Sequence, residues 1–441
     1  MLERLKMLMQ EELLHKKYTA GYSGGQQAIV ARQPIFDESG KIWGYELLYR
    51  RPRNLEVAEI SSGTVATANV IINGFETVRP SLKKTQKVLI NFTSDLIETQ
   101  AIKLLPPETC IAEILEDVQP TSEVLKAVIA IKAAGYTIAV DDYIGQDNLR
   151  PFLPLADIVK VDVLGLSSEE LASQALRLRD DGNKSVLLAE KVEDEKIATL
   201  CRQLGFKLFQ GFFYSKPEVM QGRKFSTSQA LRMQILSLCI GEDMNMQAVS
   251  DAILHDPIIT SRFLKFANSA YFGFRSEVTT VHRALTLVGS MTFMQWICVN
   301  VLATLENSPV SHEMAFLASH RAKFLECLGK YLAARLQLTP GLSASSLFLT
   351  GLFSLLESVM RMPLAEILDG VPLNQAVYDA LLGKKSPYSV WLKLMDHYER
   401  GEWEKSISLA HTLNLTKKDL SDAYSQALEW SSLFFTAHGN S

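Results

Sequence analysis

The sequence has no Cys-x-x-Cys pair, no long unbroken apolar run and no surplus of positive charge, and each absence removes a class of protein. Its five cysteines, Cys110, Cys201, Cys239, Cys298 and Cys327, are odd in number and far apart, which argues against a zinc ribbon, a thiol redox motif or a disulfide scaffold. They read as reduced thiols of a cytoplasmic protein. The most apolar late stretch, Met291 to Leu305, is broken by Gln295 and Asn300 and falls short of the roughly eighteen apolar residues that a membrane span needs. No membrane span is expected. Lys and Arg total 45 against 49 Asp and Glu, a formal charge of −4, so no basic field drives contact with nucleic acid. No direct DNA binding is expected.

What is present is a globular chain of 441 residues, 47% of them hydrophobic, a length that suggests about two domains. The opening segment, MLERLKMLMQEELLHKKYTAGYSGG, carries acidic residues inside its apolar stretch and reads as a short amphipathic helix and linker over 1–27, not as a secretory signal. From residue 28 to about 224, short β-branched runs alternate with helical patterns, the grammar of an α/β barrel. Strands are expected at Ala28 to Arg32, Ile42 to Tyr49, Val88 to Phe92, Thr109 to Ile114, Thr137 to Val140, Ile158 to Val163, Val186 to Glu190 and Lys207 to Gln210. Eight strands with amphipathic crossovers such as Ser122 to Ala134 and Glu169 to Arg179 give a modified (β/α)8, TIM-like barrel. From 225 to 441 the periods lengthen and become all-helical, as in Gln229 to Cys239, Met246 to Leu254, Ile258 to Ala267 and Met314 to Ala333.

In such a barrel, functional side chains project from the C-terminal ends of the strands. Polar residues punctuate the apolar runs there: Glu46, Asn91, Glu113, Asp141, Asp142, Lys160, Asp162, Glu190, Glu193 and Gln210. Carboxylates converging at one mouth repel one another unless cations sit among them. Oxygen donors without Cys or His suit Mg2+ or Mn2+, and a pair of such ions would activate water and stabilise a phosphoryl oxygen, the logic of phosphodiester hydrolysis. Lys160, the cation in the set, would orient that water or neutralise developing charge.

The segments ARQPIF, GYELLYR, INF, AEILE, DDY, KVDV, AEKVE and QGFFYSKP resemble, in order, the barrel motifs of the EAL-type cyclic di-GMP phosphodiesterases. HDPIITSRFLKFANSAYFG and VTTVHRALTLVGSMTF are similar to the opening of an HDOD domain, so the whole resembles the bacterial EAL–HDOD proteins of the YuxH type. The resemblance implies metal-site positions at Glu46, Asn91, Glu113, Asp141, Asp142 and Glu190, with Lys160, Glu46 and Glu190 in the chemistry. It places Gln33, Arg50, Asp162, Glu193 and Gln210 on the side of the dinucleotide or its supporting loops. It also implies cyclic di-GMP as the ligand and leaves room for a homodimer and for a protein partner of the HDOD half.

The chain departs from the family pattern at Leu47, where the signature has alanine, in the loop DDYIGQDNL, and at Lys191, which stands where the family has glycine. These changes keep a second reading open, a degenerate barrel that binds the dinucleotide, or only proteins, without turning it over. In the helical half, GLFSLLE puts Ser354 and Leu355 where HD-type hydrolases carry their His-Asp pair, and neither side chain holds a hard cation. His255 and Asp256 precede Pro257 and read as a helix boundary, while His282 and His320 read as partly buried packing or hydrogen-bonding residues. The aromatic and methionine residues Phe263, Phe266, Tyr271, Phe272, Met291, Phe293, Met294 and Trp296 read as core, with a partner groove as the alternative.

Overall fold

The structure, a computed structural model, describes residues 29–49, 60–180, 184–211, 227–240, 246–269, 272–274, 276–305, 308–335, 342–360 and 362–436. The expected N-terminal helix over 1–27 and Arg50 lie outside the described residues. The described residues divide into two compact units near residue 216, with His397–Glu404 counted in the first.

In the first unit, eight strands close into a barrel in sequence order: β1 Val30–Asp37, β2 Ile42–Tyr49, β3 Lys87–Phe92, β4 Cys110–Ile114, β5 Thr137–Val140, β6 Ile158–Asp162, β7 Val186–Glu190 and β8 Leu208–Phe209. Strand pairs from β2 to β8 are parallel, but β1 runs antiparallel to both β2 and β8. The cause is local. The turn between β1 and β2 is too short for the crossover of a dozen or so residues that a parallel return requires. Asp37 Oδ1 ties it by accepting the N–H groups of Ser39 (2.8 Å) and Lys41 (3.0 Å), and Gly40 supplies the positive φ of +76°.

The crossover helices carry their own start signals. Thr121 caps Ser122–Ala133 by accepting the Val124 N–H, and Val124, Ala127, Val128 and Ile131 form its buried stripe. Asp194 caps Glu195–Gln203 in the same way through the Ile197 N–H.

A layer of buried residues, Ile35, Leu89, Ile111, Ala139, Ile158, Leu188 and Leu208, fills the barrel interior. Because side chains on one face of a strand recur every second residue, the inward position two residues further along each parallel strand is fixed by this layer. Those positions are Asn91, Glu113, Asp141, Lys160, Glu190 and Gln210. Gln33 bears the same relation to Ile35 on the reversed β1 and is in register with Glu46 on β2. An apolar floor thus aligns a polar storey above it.

The second unit is helical. Its longest helix, Pro309–Arg335, meets Ala344–Phe353 at two glycines. A Cβ on Gly351 would lie 2.6 Å from the backbone of Arg321, and one on Gly329 would lie 2.5 Å from Leu347 Cδ1, so the two backbones approach where side chains are missing. Phe263, Phe293 and Trp296 are buried and in ring contact, with Phe263–Phe293 centroids 4.8 Å apart, as core residues should be. Met291 instead is 52% exposed, and Tyr271 lies outside the described residues.

Asp256 caps Pro257–Ala267, accepting the N–H groups of Ile258 (3.0 Å) and Ile259 (3.1 Å), and the His255 ring bonds the Asp251 carbonyl. This pair is a helix boundary. His320 is buried against Tyr424 and Phe324, whereas His282 is exposed, contrary to the partial burial expected for it, because its helix turns Val281, Ala284 and Leu285 inward instead. Among the described residues no single helix is long and apolar enough to cross a membrane.

Candidate active site at the barrel mouth

Lys160 stands on β6, 1% exposed, and its Nζ gathers four carboxylates from four other places on the barrel. It lies 2.9 Å from Asp141, 2.8 Å from Glu190 and 3.4 Å from Glu46, and it hydrogen-bonds Glu113. One ammonium against four carboxylates leaves a formal charge of −3 if all are ionised. The surroundings are dry, so that imbalance acts on every titration in the cluster.

Burial pushes the Glu113 carboxyl well above the usual carboxylate range, with Lys160 opposing and Asp141, Glu46 and Glu190 adding to the rise. Burial likewise raises Glu190, again opposed by Lys160 and reinforced by its acidic neighbours. At Asp141 burial acts upward too, but the charge and hydrogen bond of Lys160, with bonds from Glu113 and the Asp142 N–H, outweigh it and hold the carboxyl low. For Lys160, burial works against the charge, yet Asp141, Glu113, Glu190 and Glu46 together keep the ammonium well above the ordinary lysine range.

The amides complete the ring. Gln210 Nε2 donates to Glu46 Oε2 at 2.7 Å and to Gln33 Oε1 at 2.8 Å, and Asn91 Nδ2 donates to Glu46 Oε1 at 3.3 Å. Four buried oxygens, Glu113 Oε2, Glu190 Oε2, Asn91 Oδ1 and Gln210 Oε1, have no hydrogen-bond partner. Unpartnered buried acceptors in an acid-rich cluster are what a hard cation with oxygen ligands satisfies, so the donor set fits Mg2+ or Mn2+. The carboxylates converge on the ammonium, however, and an ion would have to share them with Lys160.

Further out, Asp142 has a positive φ of +41°, and Asp162 Oδ1 accepts the Leu164 N–H at 2.9 Å. Lys191 reaches both acids, hydrogen-bonding Asp162 and lying 3.8 Å from Asp142. Glu193 is exposed and stands apart from the bonded ring. Glu116, Asp141 and Asp142 each offer one carboxylate oxygen such that all three lie within 4.8 Å of one another. Glu116 is absent from the set expected from sequence. Its only signal there was its position three residues beyond Glu113 in AEILE.

A cavity of about 540 Å³ opens at the opposite end of the barrel, beside Trp43, Asp157, Ile158 and Val186, where the parallel strands begin. It is remote from these groups, on the face that in such barrels serves stability.

The HDOD domain family matches residues 226–355. YuxH of Bacillus subtilis is 30% identical over 413 residues, 92% of this chain and 98% of YuxH. The chain belongs to the YuxH family of EAL–HDOD proteins. A cyclic di-GMP phosphodiesterase of Vibrio cholerae, CdgJ, is 26% identical to this EAL–HDOD chain over 404 residues, 91% of it and 92% of CdgJ. Among solved structures, the Bacillus subtilis YkuI protein with an EAL domain, in complex with cyclic di-GMP and calcium, is 18% identical, covering 60% of this chain and 72% of its own. Its TM-score of 0.36 carries no weight for function.

Around Ser354 and Leu355 of the helical unit, the described residues form no comparable carboxylate cluster. Ser354 Oγ accepts from Arg321 Nη1 at 3.1 Å and donates to the Gly351 carbonyl at 2.7 Å, while Leu355 is buried. Arg321 Nη2 pairs with Asp396 at 3.0 Å. A guanidinium stands beside the serine, which is no place for a divalent ion.

Proposed function

We propose that the protein is a metal-dependent phosphodiesterase of the cytoplasm that opens cyclic di-GMP to the linear dinucleotide pGpG, with the HDOD half as a non-catalytic regulatory or output module. The observation that carries this reading is the buried acid excess around Lys160, together with the unpartnered oxygens of Glu113, Glu190 and Asn91. Glu46, Asn91, Glu113 and Asp141 would hold an ion, with Glu190 beside them and Asp142 toward the rim.

Bound Mg2+ or Mn2+ would lower the pKa of water and stabilise charge on the phosphoryl oxygens. The chain's own groups supply the rest. Lys160 stays protonated, so it acts as a hydrogen-bond donor to the attacking water or to a phosphoryl oxygen and not as a base. Glu190, 2.8 Å from Lys160 and with its Oε2 unpartnered, is the group placed to receive a proton from that water once it is ionised. Gln210 and Asn91 hold the Glu46 carboxylate in place from both oxygens. In the balanced step, water oxygen joins phosphorus, one P–O ester bond breaks, and the departing oxygen takes up a proton. The substrate side would be Gln33, Gln210 and Asp162, with Glu193 and Arg50 in the supporting loops. A homodimer and an HDOD partner protein belong to this reading as well.

A second reading, a receptor that binds cyclic di-GMP without turnover, is favoured by one feature: Lys191 engages Asp142 and Asp162. Incubation of purified protein with cyclic di-GMP and Mn2+ or Mg2+, followed by chromatography, separates the two. Linear product supports the phosphodiesterase. Tight binding with no product under either metal supports the receptor.

A further inference from the structure

Lys191 follows β7 directly and has a φ of +54°, a left-handed conformation that residues with a Cβ adopt reluctantly. Its backbone is pinned on the C-terminal side. The next residue, Val192, donates its N–H to the Gln210 carbonyl at 3.0 Å, and Gly211 backs onto it so closely that a Cβ on the glycine would lie 2.3 Å from Val192 N. The turn therefore aims the side chain at the rim, where its Nζ hydrogen-bonds Asp162 and stands 3.8 Å from Asp142 Oδ1.

We infer that Lys191 is a tethered cation that takes the place of a second divalent ion at the rim of the barrel, so that the mouth binds one such ion tightly and not two. The inference rests on the metal-site reading above and concerns its stoichiometry. A hard divalent ion sits about 2.1 Å from a carboxylate oxygen. An ion on Asp142 Oδ1 would then lie within about 6 Å of the Lys191 ammonium, which is 3.8 Å from the same oxygen. At that separation the two like charges repel across a half-buried rim. Lys191 forms its ion pairs with Asp142 and Asp162, whereas Glu46, Glu113, Asp141 and Glu190 pair with Lys160.

The test is a Mn2+ titration of the full-length, nucleotide-free protein, with free ion read by electron paramagnetic resonance. Wild type should show one tight ion per chain. Lys191→Gly, which suits the positive φ, should show two, the second at least about tenfold tighter than any weak site in wild type. Lys191→Asn, also tolerant of that φ, should behave like the glycine variant, and Lys191→Arg, which keeps the cation, like wild type. Two equally tight ions in wild type, or no change in the neutral variants, overturn the inference and leave the metal-site reading standing. No tight Mn2+ in wild type and variants alike overturns both.

Discussion

In the barrel, one buried ammonium faces four carboxylates; in the helical unit, the buried Glu326 carboxylate pairs with two lysines, Lys323 and Lys330, and the buried Asp419 pairs with Arg335. A buried excess of like charge opposes folding, and it persists only where something cancels it. The barrel mouth is therefore the part of the molecule with a buried excess of acid, whereas these acids of the helical unit are matched by cations. The same contrast recurs on a smaller scale within the barrel, between the inner acids around Lys160 and the rim acids held by Lys191.

The sharpest way to break the contrast is to remove the inner ammonium. Lys160→Met should abolish hydrolysis and, by leaving buried carboxylates unpaired, cost the metal-free protein about 3–5 kcal/mol. Added Mn2+ should restore much of that stability, measured by thermal melts with and without the ion. Glu46→Ala should lower turnover by at least about 100-fold while the fold survives, since it removes a donor from the mouth and not from the apolar layer beneath. Unchanged turnover in a steady-state assay would place the chemistry elsewhere.

Acidity offers a finer probe. Glu113 and Glu190 have raised pKa values in the folded state, so between their unfolded values, near 4.3, and those raised values the folded protein binds more protons than the unfolded chain. Metal-free stability should accordingly fall as pH rises through that window. Asp141, depressed, keeps its contribution above the unfolded range and loses it only in acid; Lys160, raised, keeps its contribution below the ordinary lysine range and loses it only in strong base. The slope near neutrality thus belongs to the two glutamates, and Mn2+ should flatten it, as urea midpoints across pH would show. Divalent affinity should climb with pH as those protons are displaced. Smallest is the change in the helical unit: Thr280 caps Val281–Val288 by accepting the Arg283 N–H, and Thr280→Ala should cost about 1 kcal/mol and leave hydrolysis untouched.

Much of this was legible in the residues. The apolar runs marked all eight strands, though β1 continues to Asp37, past its expected end at Arg32, and the alternation from Leu89 to Asn91, Ile111 to Glu113 and Leu188 to Glu190 placed the polar groups on one storey. The direction of β1 was less visible, because strand pattern carries no sense of direction; only the shortness of the 38–41 turn encodes it. Glu116 escaped because it lies beyond the end of β4, where periodicity stops. That Lys191 reaches Asp142 and Asp162 is a matter of φ and of loop packing, which composition does not reveal. His282 was misjudged since an amphipathic helix does not say which edge of its stripe a histidine occupies.

The most direct measurement is anomalous diffraction from crystals soaked in Mn2+. The account predicts a manganese peak coordinated by Glu46, Asn91, Glu113 and Asp141, beside Lys160. Manganese confined to Glu116 and the outer surface, with Lys160 still gathering all four carboxylates, would contradict it.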